Sequence, residues 1–204
     1  AWLSGSYWWS LGGRAYLFLG FAWRLALLAY SAGPYPLASH ALGEVTVFIF
    51  FGLVAVVGGF ALHHNSMPFI VWLVAVQMGL LTSAIMLVNN IRDHDSDLQA
   101  DKHTLAVRLG PVRSEGLYRW LMLLPLALQL ALVEQMLSDV AMTMAQRLFS
   151  TALWPLVVVQ AVRLSYLIAI RRLHALNKQL AQTAALTLGF AVAASVELVL
   201  RYQP

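Results

Sequence analysis

Long apolar runs alternate with short polar breaks along this chain, and six of the runs reach the roughly 17 to 25 residues that a helix needs to cross a hydrocarbon core. They extend over Ala15 to Ser31, Val45 to Leu62, Pro68 to Val88, Leu117 to Leu137, Leu148 to Ile170 and Ala181 to Leu200. Lipid offers backbone amides no hydrogen-bond partners, so each span is expected to satisfy its own as an α-helix. Pro34, Pro36 and Gly43 interrupt the chain between the first two spans, and His63-His64-Asn65-Ser66 interrupts it before the third. Trp2, Tyr7, Trp8 and Trp9 suit the interfacial end of an earlier helix. The pattern predicts an all-α, polytopic transmembrane helix bundle forming a single domain over residues 1–204.

Composition supports the same class. The chain is 60% hydrophobic and 11% charged, whereas a soluble domain carries about 25% charged residues. It has no cysteine, which excludes disulfides, thiolate metal sites and a cysteine nucleophile. The net charge of +4 is modest, and its basic residues border apolar spans instead of forming a stripe, which argues against nucleic-acid binding. Arg92, Lys102, Arg108, Arg113, Arg171, Arg172 and Lys178 fall on one side of the predicted topology, against Arg14, Arg147 and Arg201 on the other. The positive-inside tendency then places the 90–116 loop in the cytoplasm. The first residue is Ala1 and no signal-peptide pattern precedes the first span, so the chain is expected to be a fragment.

The candidate chemistry follows the third span. Four of the nine acidic residues, Asp93, Asp95, Asp97 and Asp101, lie within nine positions. Carboxylates beside hydrocarbon are costly and usually functional, and a cluster repels itself unless a cation sits among them. If the helix continues past Val88, then Asn89, Asp93, Asp97 and Asp101 share one face at about 6 Å of rise per step. Such a ladder presents oxygens to Mg²⁺, which is commonly held by one or two carboxylates plus substrate phosphates. Arg92, Lys102 and Arg108 supply positive charge within reach of a diphosphate. Asp95 lies about 200° away around the helix and is the weaker ligand.

Competing readings can be weighed on the residues. An EF-hand loop starting at Asp93 fails, because its sixth position is Leu98 instead of Gly and its twelfth is Thr104 instead of Glu. A CDP-alcohol phosphotransferase also spaces carboxylates by four, but its Asp-Gly, Ala-Arg and Gly elements are missing before Asp93. A solvated acidic connector remains as the plain structural reading. A cation-coupled transporter is a further class, although transporters place such sites near the bilayer midplane in unwound helices.

The segment Asn89-Asn90-Ile91-Arg92-Asp93 through Lys102-His103-Thr104-Leu105-Ala106-Val107-Arg108-Leu109-Gly110 resembles the second aspartate-rich motif of the UbiA-type intramembrane prenyltransferases. It is similar, more narrowly, to the 1,4-dihydroxy-2-naphthoate polyprenyltransferases (MenA-type) of menaquinone synthesis. Gly33-Pro34-Tyr35-Pro36 and Ala41-Leu42-Gly43-Glu44, followed by Val47 to Gly52, resemble the same subgroup's loop and following helix. The resemblance runs from about Tyr30 to Gly110 and is topological beyond Pro111. It implies Mg²⁺ held by Asp93 and Asp97, assisted by Asp101, gripping the diphosphate of a polyprenyl donor while Lys102 and Arg92 neutralise the leaving group. Asn89 or Asn90 would orient a carboxylate or a metal-bound water. The acceptor implied is dihydroxynaphthoate, prenylated with loss of carbon dioxide; 4-hydroxybenzoate, homogentisate and haem are alternative acceptors within the fold. The implied location is a bacterial cytoplasmic membrane.

The chain departs from the family pattern in one respect. An earlier motif of the form N-x-x-x-D is absent, and Glu44, Glu115, Glu134, Asp139 and Glu197 are isolated acids. About three N-terminal helices of an expected nine are therefore taken to be missing, and the 204-residue chain alone is expected to be inactive. Tyr35 and His40, in the loop on the same side as the cluster, are candidates for substrate contact or a structural cap. His94 and His103 flank the ladder and are expected to be exposed or to shuttle protons. Arg24, inside the first span, is expected to snorkel or pair, with a cavity role as the alternative. His63 and His64 point different ways and suit an interfacial loop better than a metal site. Glu134 and Glu197 sit near helix ends, where an acid reaches interfacial water.

Overall fold

A computed structural model describes residues 20–32, 36–63, 66–138, 143, 144, 148, 151, 152, 154–168 and 173–201. Helix α1 covers 20–31. A short 3-10 turn, Leu37–Ser39, leads into α2, Gly43–Ala61, and α3 is Phe69–Arg92. Two short helices follow, α4 (His94–Gln99) and α5 (Leu105–Leu109). The remainder is α6 (Pro111–Ser138), α7 (Trp154–Leu167) and α8 (Leu173–Arg201). No strand occurs among the described residues. The all-helical expectation holds, and α2, α3 and the segment Ala175–Val199 of α8 are long and apolar enough to cross a membrane.

The helix ends depart from the hydropathy limits for local reasons. Helix α3 runs four residues past the expected Val88, because Asn89, Asn90 and Arg92 keep helical hydrogen bonding while ending the apolar run. Helix α6 begins at Pro111 rather than Leu117. Gly110 adopts φ +75°, a conformation glycine takes without a Cβ penalty, and proline at the first helical position loses no hydrogen bond. Helix α7 falls within the span expected from Leu148 to Ile170, of which residues 149, 150, 153, 169 and 170 lie outside the described residues.

Helix α3 is the centre of the bundle and packs against α2, α6 and α8. Its buried side includes Val71, Val74, Leu81, Ala84, Leu87 and Val88, which join Tyr118 and Met122 of α6 and Phe190 of α8 in one core. Helices α2 and α3 approach each other closely. A Cβ on Gly52 would lie 2.4 Å from the Gly79 Cα, and one on Gly79 would meet the Phe48 ring at 2.6 Å. Glycine at both positions lets the backbones touch, as close helix packing in lipid requires. Residues Phe48–Val54 of α2 form a π-helical turn. The wider turn accompanies an arrangement in which consecutive Phe50 and Phe51 both meet Trp23 of α1, edge-to-face at 5.1 and 5.4 Å.

Two polar networks cross the apolar core. The Gln77 amide donates to the Pro125 carbonyl at 3.0 Å and to Gln129 Oε1 at 3.1 Å, and Gln129 donates in turn to Glu197 Oε2 at 2.7 Å. Nearer α7, Gln179 Nε2 donates to the Leu164 carbonyl at 2.8 Å and to the Tyr118 hydroxyl, which pairs with Thr183. Glu197 is thus 2% exposed and bonded across helices, contrary to the expectation that it reaches interfacial water. Packing of α6 and α8 on α3 encloses it, a tertiary effect that position in a span does not reveal. The side chain of Glu134 lies outside the described residues. Arg24 is exposed on α1, as snorkelling or an outward face requires.

Candidate functional site

The acidic ladder forms at the end of α3, and the helix breaks there without losing its register. Asp93 ends α3 and precedes α4, with φ −92° and ψ 7°. Its amide still bonds the Asn89 carbonyl at 3.0 Å, and the Asp97 amide bonds the Asp93 carbonyl at 2.8 Å. Asn89, Asp93 and Asp97 therefore remain on one side. Asp101 does not. The Lys102 amide turns back to the Asp97 carbonyl at 2.9 Å, which puts Asp101 at φ +54° and leaves its side chain 95% exposed beside His103. Aspartate is among the residues that tolerate this left-handed conformation.

A cavity of about 230 Å³ opens at the ladder, lined by Tyr30, Ala38, Ser39, Met86, Asn89, Asn90, Asp93, Asp97, Lys102 and Thr104. Five helices and loops converge to make it. The 36–42 loop lies against the cluster, held by the His103 amide donating to the Ser39 carbonyl at 2.9 Å. His40 turns instead to the Pro36 carbonyl at 2.9 Å and does not line the cavity; Tyr35 lies outside the described residues. Arg108 is exposed in the last turn of α5, away from the cavity. Asp95 pairs with His94 on the solvent side at 2.9 Å. Thr104 caps α5 by accepting from the Val107 amide and faces the cavity.

Each of the two ladder carboxylates has a cation in place. Arg92 donates to Asp93 through Nε at 2.7 Å and Nη2 at 2.6 Å, reaches the Asn89 side-chain oxygen at 2.9 Å, and meets Asn177 of α8 at 3.2 Å. This bidentate fork fixes Asp93 from behind the cavity. Lys102 Nζ lies 3.3 Å from Asp97 Oδ1, with Asp97 largely buried and Lys102 half exposed. Among the described residues no three His, Asp or Glu side chains form a ready-made metal cage. Two carboxylates lining one polar cavity suit a cation that shares its ligands with substrate phosphates.

Glu44 emerges from the fold as the partner of a cavity residue, Asn90. Only 5% exposed, it accepts from Asn90 Nδ2 at 2.8 Å, and its backbone carbonyl accepts from Ser83 at 2.9 Å. Its Oε2 has no hydrogen-bond partner among the described residues. Glu44 is 46 residues from Asn90, so only the packing of α2 on α3 pairs them; an acid immediately ahead of an apolar run is the one sequence signal it left. Glu44→Ala is expected to strand the buried Asn90 amide and cost about 1–3 kcal/mol. Thermal unfolding in nanodiscs, compared with Glu115→Ala, measures the loss.

A second cavity of about 220 Å³ adjoins the first and is almost wholly apolar, lined by Trp23, Ala26, Leu27, Tyr30, Thr46, Val47, Phe50, Phe51 and Met86. A polar, carboxylate-bearing chamber thus abuts a greasy groove. The UbiA prenyltransferase family matches residues 1–196 of this sequence. The chain belongs to that family. Its fold is accordingly the polytopic helical membrane fold of the family, and the chemistry of the family is prenyl transfer.

Relatives within the family are similar over part of their length. The 1,4-dihydroxy-2-naphthoate octaprenyltransferase of Haemophilus influenzae is 41% identical over 96 residues, 47% of this chain and 31% of the relative. The enzyme of the same name from Escherichia coli is 36% identical over 109 residues, 53% of this chain and 35% of the relative. Human UbiA prenyltransferase domain-containing protein 1 is 39% identical over 85 residues, 42% of this chain and 25% of the relative. The matches span about a third of the length of the naphthoate enzymes. No solved structure matches.

Proposed function

We propose that the natural protein carrying this chain transfers a polyprenyl group from its diphosphate to 1,4-dihydroxy-2-naphthoate, giving demethylmenaquinol for menaquinone synthesis. The observation that carries this reading is the pairing of a two-carboxylate chamber with an adjoining aromatic groove. The chamber suits a metal-bound diphosphate, and the groove suits a hydrocarbon tail. Similarity to two bacterial naphthoate octaprenyltransferases supports the acceptor. The basic residues of the 90–116 loop support a cytoplasmic chamber in a bacterial inner membrane.

Asp93 and Asp97 are the residues that would hold Mg²⁺, which when bound neutralises charge on the diphosphate oxygens. Lys102 is placed to leave Asp97 for a phosphate oxygen, since it is only half exposed and borders the chamber. Arg92 keeps Asp93 oriented, and Asn89 stiffens that contact from one turn back. The carbon–oxygen bond of the donor breaks with its electron pair going to diphosphate, and the acceptor ring supplies the pair for the new carbon–carbon bond. Carbon dioxide then leaves, returning its bond pair to the ring. The apolar walls exclude water that would otherwise capture the allylic cation.

An acceptor panel tests the reading. The natural protein in nanodiscs is given farnesyl diphosphate and equal amounts of dihydroxynaphthoate, 4-hydroxybenzoate and homogentisate. Prenylated, decarboxylated naphthoate is the expected main product; preference for either other acid rejects the naphthoate assignment.

A further inference from the structure

Two neighbouring asparagines close the apolar part of α3, and the fold commits them differently. Asn89 is engaged at both ends: its side-chain oxygen accepts from Arg92 Nη2 at 2.9 Å, and its Nδ2 lies 3.4 Å from Asp93 Oδ2. Asn90, about 100° further round the helix, turns off the ladder face towards α2, where its Nδ2 donates to Glu44 Oε1 at 2.8 Å. It is 8% exposed and still lines the chamber. Chemistry fixes the direction of that bond. A carboxylate only accepts, and a proton on Oε2 would leave Oε1 an acceptor. The Asn90 nitrogen therefore faces Glu44 in either state, and its carbonyl oxygen faces away. Among the described residues that oxygen accepts from no side chain.

Glu44 is itself bolted to α3 at two points. Its backbone carbonyl accepts from Ser83 Oγ at 2.9 Å, and its side chain meets Asn90. Seven residues are close to two helical turns, so both contacts fall on one face of α3, and both partners are buried. We infer that Glu44 is a positioning residue that turns the Asn90 carbonyl oxygen to the aromatic acceptor, where it accepts a hydrogen bond from a ring hydroxyl. The inference rests on the prenyltransferase reading and adds the acceptor's seat to it.

The remaining chamber groups leave this role to Asn90. Asp93 and Asp97 face Arg92 and Lys102 and belong to the metal and diphosphate in that reading. An uncharged acceptor oxygen off the ladder face has nothing to offer diphosphate oxygens, which also accept, and it matches a hydroxyl donor. The contact also has a kinetic consequence. As the ring gives its electron pair to the donor's carbon, positive charge spreads to the hydroxyl oxygens and makes their protons stronger donors. A bond to Asn90 therefore tightens as the carbon–carbon bond forms, which is the condition for accelerating the step rather than only binding the acceptor. No proton leaves: loss of carbon dioxide returns the pair to the ring and restores the neutral hydroxyl.

A cycle between residue and substrate tests the contact. The natural protein in nanodiscs, with farnesyl diphosphate and Mg²⁺, is given dihydroxynaphthoate and the two monohydroxy-2-naphthoates that each lack one of its hydroxyls. Rates as kcat/KM are measured for wild type, for the apolar pair Glu44→Met/Asn90→Leu, and for Glu44→Gln. The intrinsic reactivity of each ring is the same in every variant, so a change in the dihydroxy-to-monohydroxy ratio reports the contact. For one of the two monohydroxy acids that ratio is expected to fall about 3- to 10-fold in the apolar pair, while the KM for farnesyl diphosphate stays within about threefold. Glu44→Gln keeps an oxygen for the Asn90 nitrogen and should retain the wild-type ratio. A purely structural role for Glu44 would lower all three rates together and leave the ratios unchanged. If the apolar pair does not fold, Asn90→Ser, which keeps a hydroxyl for Glu44, carries the same expectation. Wild-type ratios for both monohydroxy acids in the folded variant overturn the inference. Absence of transfer to every acid by the wild-type protein overturns the transferase reading itself, a result separable from the first.

Discussion

Asp97→Asn in the natural protein is expected to lower prenyl transfer by about 100- to 1,000-fold, the scale of losing one preorganised electrostatic contact to a reacting group. The side chain is close to fully buried and its nearest cation is Lys102 at 3.3 Å. Removing its charge takes away a proposed metal ligand and leaves Lys102 paired with a neutral amide. Asp93→Asn should fall to a similar level by a different route, since it also releases the Arg92 fork that ties α3 to Asn177 of α8. Asp101→Asn is expected to lose far less, because that side chain points into solvent. Initial rates at saturating Mg²⁺, measured for all three variants, give the order. Equal losses at 97 and 101 would restore the three-carboxylate ladder that the turn at Lys102 argues against.

The second large effect is structural. Gly52→Ala should destabilise the protein by about 1–3 kcal/mol, lowering its melting temperature by about 2–12 °C. The new methyl would sit 2.4 Å from the Gly79 Cα and 2.8 Å from the Ala75 carbonyl. Those are backbone atoms, so relief requires the helices to separate. Separation moves the π-helical turn that holds Phe50 and Phe51 against Trp23, and the apolar groove widens with it. Gly59→Ala is the internal control: a Cβ there meets nothing within 4 Å, and alanine is the better helix former. A thermal scan showing equal melting points for the two variants would remove the close α2–α3 crossing from the account.

How much of this could be read from the chain alone depended on the distance over which each feature is encoded. The grouping of Asn89, Asp93 and Asp97 was legible, because spacing by four survives a single-residue helix break that keeps its hydrogen bonds. Asp101 obeyed the same spacing but missed the cavity, since the fold ends α4 at Gln99 and turns the Lys102 amide back on Asp97. Arg108 likewise carried the right charge and the wrong direction. The class of fold was legible from hydropathy alone, and the family from the 89–110 motif. Tyr30 and Met86 are 56 residues apart, Glu44 and Asn90 are 46 apart, and Gln129 and Glu197 are 68 apart. Those pairs exist only through helix packing, which an apolar pattern does not orient. Glu197 shows the cost of reading depth from span position: near a helix end in sequence, it is enclosed by α6 and α3 in space.

The central claim is that the chamber at Asp93 and Asp97 binds a metal-complexed prenyl diphosphate. Equilibrium binding of farnesyl thiolodiphosphate to the protein in nanodiscs tests it, titrated with and without Mg²⁺ for wild type and Asp97→Asn. The account predicts binding that requires Mg²⁺ and weakens at least about tenfold in the variant; equal affinity without the metal, or in Asp97→Asn, would contradict it.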